Sequence, residues 1–202
     1  MLTLLYLLRR VSMTIIIGLK HKGNVWIGAD SRITEGDGTK FDLDLTLDSK
    51  LFKLSYCVIG FAGDLSAKSF MESFLLSGKR KMAKVTDRAS VIKFFQDFRS
   101  YLKSKQGLDE SDLSKIDVSW LVATKDNLYI CDGDGAVLGF PNFCAIGTGA
   151  TTARAALEYI ELHDAKLNPQ ERLARAHEIT VRHNSSCGGV QEVYCVSDIA
   201  QR

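Results

Sequence analysis

Residues 14–30 read Thr-Ile-Ile-Ile-Gly-Leu-Lys-His-Lys-Gly-Asn-Val-Trp-Ile-Gly-Ala-Asp. Two runs rich in β-branched and aromatic residues flank a polar segment around Gly23, a pattern that predicts a β-hairpin. With the turn at Lys22 and Gly23, residues whose numbers sum to about 44 or 45 face each other across the two strands. This register places Asp30 beside Thr14, so a hydroxyl at the start of one strand lies next to a carboxylate at the end of the other.

Strand and helix patterns alternate in blocks along the rest of the chain. Short apolar runs predict strands at 50–54, 56–62, 118–123, 128–131, 136–140, 143–146 and 190–196. Apolar residues at helical spacing predict helices after Gly63 and over 89–105, 151–162 and 169–183. Asp87 and Asn168 precede two of these helices, where N-caps are expected. Because each helix pair must cover a sheet face, this order predicts an α/β fold, a four-layer αββα sandwich of two stacked, mainly antiparallel sheets flanked by helices.

Composition limits the classes of protein to consider. The chain has 202 residues, with 46% hydrophobic and 25% charged residues, which suits one ordinary globular domain. A formal net charge of +2 is too small to indicate nucleic acid or an anionic membrane as a partner. The five cysteines are odd in number and form no C-x-x-C pair, which argues against a disulfide framework or a structural zinc site and favours a reducing cytoplasm.

The first residues of the chain are apolar from Leu2 to Leu8 and are followed by Arg9 and Arg10. This run is far shorter than the roughly 20 apolar residues that span a bilayer. Its charges follow the apolar run, whereas a signal peptide carries them before it. Residues 1–13 are therefore expected to be either a propeptide or the product of an upstream start codon, with Met13 the true start. In both cases a single domain of residues 14–202 begins near Thr14.

Thr14 can act as a nucleophile only if a neighbouring group activates its hydroxyl. A threonine hydroxyl needs an adjacent base, and a free α-amine with a pKa of about 7.7–8.0 can serve. Methionine is readily removed before a small residue, so cleavage after Met13 would expose that amine. Lys50 opens the next strand, and beside Asp30 its charge would lower the pKa of the hydroxyl or the amine. On the hairpin alone, however, an ordinary β-branched strand residue is the simpler interpretation.

Several motifs, taken together and in order, resemble proteasome β-subunits, which are N-terminal-nucleophile hydrolases. They are Thr14-Ile-Ile-Ile-Gly, Gly28-Ala-Asp-Ser-Arg, Lys50-Leu-Phe-Lys-Leu, Ile59-Gly-Phe-Ala-Gly, Ala145-Ile-Gly-Thr-Gly and Ser186-Cys-Gly-Gly-Val. The stretch Gly60-Phe-Ala-Gly looks most like the peptidase subunit of the bacterial ATP-dependent two-component protease of that family. The resemblance extends from Thr14 almost to the end of the chain.

The resemblance implies roles for five residues. Thr14 matches the nucleophile, Asp30 the carboxylate that orients a lysine, and Lys50 that lysine. Gly63 matches the glycine whose backbone N–H stabilises the oxyanion. Thr148 stands where the family usually has a serine, and its hydroxyl retains the capacity for a proton relay.

The resemblance is incomplete before the last strand. The family's usual Arg-Asp is replaced by His183-Asn184, and an amide cannot supply the charge of an orienting carboxylate. Relatives also bind a monovalent cation such as Na⁺ here through backbone carbonyls, at positions that match Val181, Asn184 and Cys187. The chemistry itself is expected to need no cofactor.

The function that the resemblance implies is threonine-type hydrolysis of peptide bonds in polypeptides, inside a homo-oligomeric ring that an ATP-dependent unfoldase could serve. Two alternatives stay open: a small-amide amidohydrolase of the same fold, and a non-catalytic structural ring subunit that keeps its N-terminal extension. The positions expected to line the first specificity pocket are Ile33, Asp48 and Phe61.

Three further expectations concern packing. The phenylalanines of the first helix pair offer more apolar surface than one helical stripe needs, so part of it is expected to contact neighbouring subunits rather than the chain's own sheet: Phe70, Phe74, Phe94, Phe95 and Phe98. His163 and His177 are expected at the surface. Residues 132–135, Asp-Gly-Asp-Gly, are expected to form a hairpin turn rather than a calcium loop, because Ala136 occupies a ligand position.

Overall fold

A computed structural model of the chain describes residues 14–34, 38–43, 48–77, 84–164 and 166–199. The segment 1–13, predicted to be a propeptide or a spurious start, lies outside the described residues. In chain order the elements are β1 (Ile16–His21), β2 (Asn24–Asp30), β3 (Arg32–Thr34), β4 (Lys40–Asp42), β5 (Leu51–Lys53), β6 (Cys57–Gly63), α1 (Leu65–Leu76), α2 (Arg88–Gln106), α3 (Glu110–Leu113), β7 (Val118–Thr124), β8 (Leu128–Asp132), β9 (Val137–Phe140), β10 (Phe143–Ile146), α4 (Ala150–His163), α5 (Pro169–His183), β11 (Gln191–Cys195) and α6 (Val196–Ile199).

The strands form two large antiparallel sheets. One has four strands in the order β10-β1-β2-β11, and the other has five in the order β5-β6-β7-β8-β9. A short β3–β4 hairpin stands apart from both sheets. Neither this hairpin nor α3 and α6 were predicted, because segments of three or four residues are too short to show a periodicity.

The first hairpin has the predicted register. Ile16 pairs with Ala29, and the Asp30 N–H donates to the carbonyl oxygen of Ile15 over 3.2 Å. Lys22 and Gly23 both have positive φ angles, 48° and 78°, as a two-residue type I′ turn requires. The turn therefore fixes the alignment that brings Asp30 to the start of β1.

Three layers of apolar side chains hold the fold together. One cluster lies between the two sheets, a second lies between the five-stranded sheet and α1 with α2, and a third lies between the four-stranded sheet and α4 with α5. Glycines let the sheets approach closely, since a Cβ atom at Gly60 would come within 2.6 Å of Ile16 Cγ2. One at Gly18 would come equally close, 2.6 Å, to Leu128 Cδ2. The predicted αββα sandwich is confirmed.

The predicted helix starts are also confirmed. Asp87 caps α2 by accepting a hydrogen bond from the Ser90 N–H, and the Asp87 N–H donates in turn to Ser90 Oγ. Asn168 caps α5 in the same reciprocal way with Glu171, and Pro169 occupies the first turn. Among the described residues, no helix has the length and apolarity needed to cross a membrane.

The packing expectations had mixed outcomes. Phe94, Phe95 and Phe98 are buried in the chain's own core and are not free for a neighbouring subunit. Phe70 and Phe74 pack against the same cluster but stay partly exposed, so their contact with a neighbouring subunit stays a prediction. His163 is exposed, as expected, but His177 is only 8% exposed because it lies on the face of α5 that packs against the four-stranded sheet. Residues 132–135 form the predicted hairpin turn between β8 and β9, with the Gly135 N–H donating to the Asp132 carbonyl.

Candidate functional site

The carboxylate of Asp30, at the end of β2, is the centre of a buried polar cluster. Its Oδ1 accepts hydrogen bonds from Thr14 Oγ1 at 2.6 Å, from the Ile15 N–H at 3.0 Å and from Lys50 Nζ at 2.7 Å. Its Oδ2 accepts one from the Gly188 N–H at 2.9 Å. Asp30 is only 2% exposed, so these donors replace the water that a carboxylate would otherwise need.

The ammonium of Lys50 is matched just as fully. Lys50 directly precedes β5, and its Nζ donates to Thr14 Oγ1, to Asp30 Oδ1 and to the Arg32 carbonyl. An ammonium has three donors, so all of them are used. Burial lowers the pKa of Lys50, while the charge of Asp30 acts in the opposite direction. The hydroxyl of Thr14 thus donates to a carboxylate and accepts from a cation.

The start of β1 is held by a tight turn between β10 and α4. The Gly149 N–H points at the Thr14 carbonyl oxygen over 3.4 Å. Gly147 has a φ of +91°, and a Cβ atom there would collide with the same oxygen. Thr148, between the two glycines, is exposed, and its Oγ1 lies 3.5 Å from Ser186 Oγ and 3.9 Å from Cys187 Sγ.

Gly63 ends β6, the strand that pairs with β5. The Phe61 N–H donates to the Lys50 carbonyl over 3.3 Å, which ties this strand to the lysine. The φ of Gly63 is +129°, and a Cβ atom would collide with the Asp117 carbonyl oxygen. Only glycine fits this position, whatever the role of its N–H.

The turn after α5 completes the cluster. Asn184 Oδ1 accepts hydrogen bonds from the Ser186 N–H at 3.1 Å and from the Ser186 hydroxyl. An amide thus holds the hydroxyl that contacts Thr148. Burial raises the pKa of the Cys187 thiol to about 11, which makes it a poor nucleophile near neutral pH.

The same turn allows a test of the expected cation site. The Asn184 carbonyl accepts the Cys187 N–H at 3.1 Å, and the Cys187 carbonyl accepts Arg32 Nη1 at 3.5 Å. A guanidinium beside one of the three expected ligands repels a metal cation. Two of the three expected carbonyl ligands, those of Asn184 and Cys187, thus already accept hydrogen bonds, and this arrangement fits Na⁺ poorly.

Two sets of residues depart from the sequence interpretation. Phe61 is fully buried against Phe52 and Trp120, so it does not face an open pocket. Asp48 is half exposed and forms an ion pair with Lys68 at 2.6 Å, and its place in a pocket stays a prediction. Ile33 is buried as well. The contacts of Arg32, Ser186 and Gly188 were not predicted. The motifs containing these residues were visible in the sequence, but their contacts join segments too distant in the chain for any local pattern to reveal.

The two stacked sheets, with a hydroxyl two residues before β1 beside a buried carboxylate and lysine, define the N-terminal-nucleophile hydrolase fold. The proteasome subunit family matches residues 12–177. The chain therefore belongs to the proteasome subunit family.

Individual relatives agree with this assignment. The ATP-dependent protease subunit HslV of Cytophaga hutchinsonii is 24% identical over 174 residues, covering 85% of this chain and 89% of that protein. The structure of Thiobacillus denitrificans BPH in complex with epoxomicin superposes with a TM-score of 0.76 at 16% identity, covering 90% of this chain and 97% of that one. HslV of Trypanosoma brucei gives a TM-score of 0.68 at 20% identity, covering 90% and 98%. The predicted likeness to the peptidase subunit of a bacterial ATP-dependent protease is confirmed.

Proposed function

We propose that the chain is a threonine endopeptidase whose nucleophile is Thr14 Oγ1. The observation that carries this proposal is the position of that hydroxyl, 2.6 Å from Asp30 Oδ1 and hydrogen-bonded to Lys50 Nζ. The similarity to a protease subunit supports peptide hydrolysis as the reaction. Thr14 is fully buried, and its nitrogen is a peptide amide while residue 13 is attached. Cleavage before Thr14 is therefore part of the proposal.

Each group has a separate task in the proposed reaction. The neutral α-amine of Thr14, with a pKa of about 7.7–8.0, takes the hydroxyl proton. The Lys50 ammonium stabilises the negative charge that develops on Oγ1, and Asp30 holds Lys50 in place. Because this charge pair is buried and preorganised, it acts more strongly than it would in water.

The reaction then proceeds in two stages, formation of an ester on Thr14 and its hydrolysis. Oγ1 attacks the scissile carbonyl, and the Gly63 N–H donates to the oxyanion, a contact that is typically worth about 2.7–4 kcal/mol. The leaving amine takes the proton from the Thr14 ammonium as the C–N bond breaks, which leaves an ester on Thr14. Water, deprotonated by the same amine, hydrolyses that ester. We assign the proton relay to Thr148, and its 3.5 Å contact with Ser186 Oγ supports this part of the proposal.

We further propose that the mature subunits form a homo-oligomeric ring that encloses the Thr14 sites. Support comes from the similarity to an ATP-dependent protease subunit, which also suggests an unfoldase partner and polypeptide substrates. The proposed location is the cytoplasm, where thiols stay reduced, and all five cysteines are free and buried. Light scattering on the mature protein tests the ring, and an active monomer, lighter than the 22.4 kDa of the full chain, would favour the small-amide alternative.

The experiment that tests the nucleophile compares chains with different first residues. A cleavable fusion yields a chain that begins at Thr14, alongside its Thr14→Ser and Thr14→Ala variants and the full chain from Met1. Casein and a fluorogenic peptide report turnover, and intact mass reports the first residue. We expect activity for Thr14 and Thr14→Ser only. An active Thr14→Ala variant, or a full chain that is active while its mass shows Met1 retained, would contradict the proposal and leave the structural subunit or another nucleophile.

A further inference from the structure

Arg32 connects to the site through its own peptide groups. Its N–H donates to the Gly188 carbonyl at 3.1 Å, and its carbonyl is one of the three acceptors of Lys50 Nζ. The Gly188 N–H in turn donates to Asp30 Oδ2 at 2.9 Å. The main chain of Arg32 thus lies between the turn that binds Asp30 and the lysine that Asp30 holds.

The side chain of Arg32 is held by an ion pair with Asp42. Its Nε and Nη2 donate to the two carboxylate oxygens of Asp42, at 3.0 and 3.2 Å. Arg32 and Asp42 face each other across β3 and β4, so the pairing of the short hairpin sets up this two-pronged contact. The third nitrogen, Nη1, reaches the Cys187 carbonyl at 3.5 Å. The two side chains are 28% and 26% exposed.

Two glycines allow the turn after α5 to lie directly on this ion pair. A Cβ atom at Gly188 would collide with the Arg32 guanidinium, and one at Gly189 would lie 2.9 Å from Asp42 Cγ. Gly189 also has a φ of +71°, which favours glycine. The turn therefore packs directly against the ion pair. A shift of either side chain would displace the Arg32 main chain.

We propose that Arg32 and Asp42 form a positioning pair that holds the Arg32 carbonyl against Lys50 Nζ, and so sets the place of the lysine charge beside Thr14. This inference rests on the proposed function of Lys50 and adds two residues to it. The pair itself touches no reacting atom. Its effect on the reaction passes through the Arg32 carbonyl and through the Gly188 N–H that binds Asp30.

The charges around Lys50 determine what a pH profile would report. Asp30 on β2 and Asp42 on β4 favour its charged form, and Cys187 in the turn after α5 acts in the same sense. His177 on α5 faces both Lys50 and Asp30. If the Arg32 carbonyl moves away, the buried ammonium loses an acceptor, and its pKa falls.

The test uses mature Asp42→Asn, which keeps the shape of the carboxylate, with Arg32→Met and Arg32→Lys. We expect kcat to fall roughly 10- to 100-fold, as small misplacements of reacting groups do, with KM within about twofold of wild type. In Arg32→Met the alkaline limb of the profile of kcat/KM against pH should move to lower pH, although loss of the guanidinium charge alone would move it the other way. Arg32→Lys should recover part of kcat, because it keeps a charge but not the fork. The double variant should be no worse than Arg32→Met, since both changes break one contact.

Arg99→Met is the matched control. Arg99 also pairs with a carboxylate, Glu110, and donates to a backbone carbonyl, that of Gly133 at 3.1 Å. Its side chain is 32% exposed, close to that of Arg32. It lies on α2, on the far side of the five-stranded sheet. Its loss should change thermal stability to a similar extent and leave both the pH profile and kcat unchanged.

Two results would overturn the inference. One is an Asp42→Asn variant with the wild-type kcat and pH profile. The other is a loss that Arg99→Met reproduces. Should the mature wild type not turn over at all, the proposed function fails, and an NMR titration of the Lys50 side chain still decides the inference. A Lys50 pKa that is lower in Arg32→Met than in wild type supports the positioning pair, because loss of the guanidinium charge alone would raise it, and an unchanged or higher pKa refutes it.

Discussion

The two layers of side chains between a sheet and its covering helices differ in composition. The layer between the five-stranded sheet and α1 with α2 is aromatic and apolar, with Trp120 in contact with the rings of Phe52, Phe61, Phe95 and Phe98. The layer between the four-stranded sheet and α4 with α5 has aliphatic and small side chains, together with buried polar groups: Asp30, Arg172, His177 and Thr180. The first layer contributes mainly stability, and the second tolerates the buried charge that chemistry requires.

The sharpest test of this division concerns Lys50. Mature Lys50→Ala should keep the native circular dichroism spectrum but lose turnover, because the charge that stabilises the Thr14 oxygen is gone. It should also lower the free energy of unfolding by about 3–5 kcal/mol, since Asp30 is left buried and unpaired. Peptide hydrolysis and urea denaturation measure the two effects.

Lys53→Ala, three residues further along at the end of β5, is the control. Lys53 is exposed and donates to the Tyr194 hydroxyl at 3.2 Å, so its loss should change both quantities little. Combining Lys50→Met with Asp30→Asn removes both charges and should restore stability without restoring turnover. Near-normal turnover in Lys50→Ala would remove this residue from the mechanism.

A substitution in the aromatic layer should have the opposite profile. Trp120→Ala removes a side chain that is 1% exposed, and the resulting cavity should cost about 3–5 kcal/mol of unfolding free energy. Activity per folded molecule should stay near wild type, because Trp120 lies on the face of the sheet that points away from the site. If turnover falls further than the folded fraction does, the two layers are coupled more tightly than the comparison implies.

The smallest expected effect belongs to His177, the buried titratable group of the polar layer. Burial lowers its pKa below the usual value of 6.5, and its Nε2 has no hydrogen-bond partner within the described ranges. The unfolded state therefore binds this proton more readily. The stability that His177 contributes is complete above pH 6.5 and is lost as the pH falls from there through the folded-state pKa.

His177→Phe, which keeps a flat ring without a titrating nitrogen, should reduce the loss of unfolding free energy between neutral and mildly acidic pH. Chemical denaturation at a series of pH values measures this. His163→Phe, at an exposed site, is the comparison. An equal acid sensitivity in wild type and His177→Phe would show that folding does not shift the pKa of this imidazole.

Local patterns predicted much of this molecule. The β1–β2 register follows from one turn, and it alone placed Asp30 beside Thr14. The caps at Asp87 and Asn168 are encoded within four residues of each helix start. The αββα layering follows from the order of strands and helices.

What could not be predicted depends on contacts between distant segments. The bond from the Gly188 N–H to Asp30 joins residues 158 positions apart, and no periodicity reports it. His177 was expected at the surface because a polar residue on a helix predicts an exposed face. In the structure α5 buries both His177 and Arg172, and Arg172 is paired with Glu161. The phenylalanines of α2 were expected to contact a neighbouring subunit because the sequence does not show how much aromatic volume one sheet face can bury.

The site draws its parts from different sheets. Thr14 and Asp30 belong to the four-stranded sheet, whereas Lys50 leads into the five-stranded one. A chain in which only one sheet has formed therefore holds either the hydroxyl with its carboxylate or the lysine, but not all three. The proposed reaction therefore requires that the two sheets have docked against each other. Gly18 and Gly60 keep the distance between the sheets small, and this distance also determines how close Lys50 lies to Thr14 and Asp30.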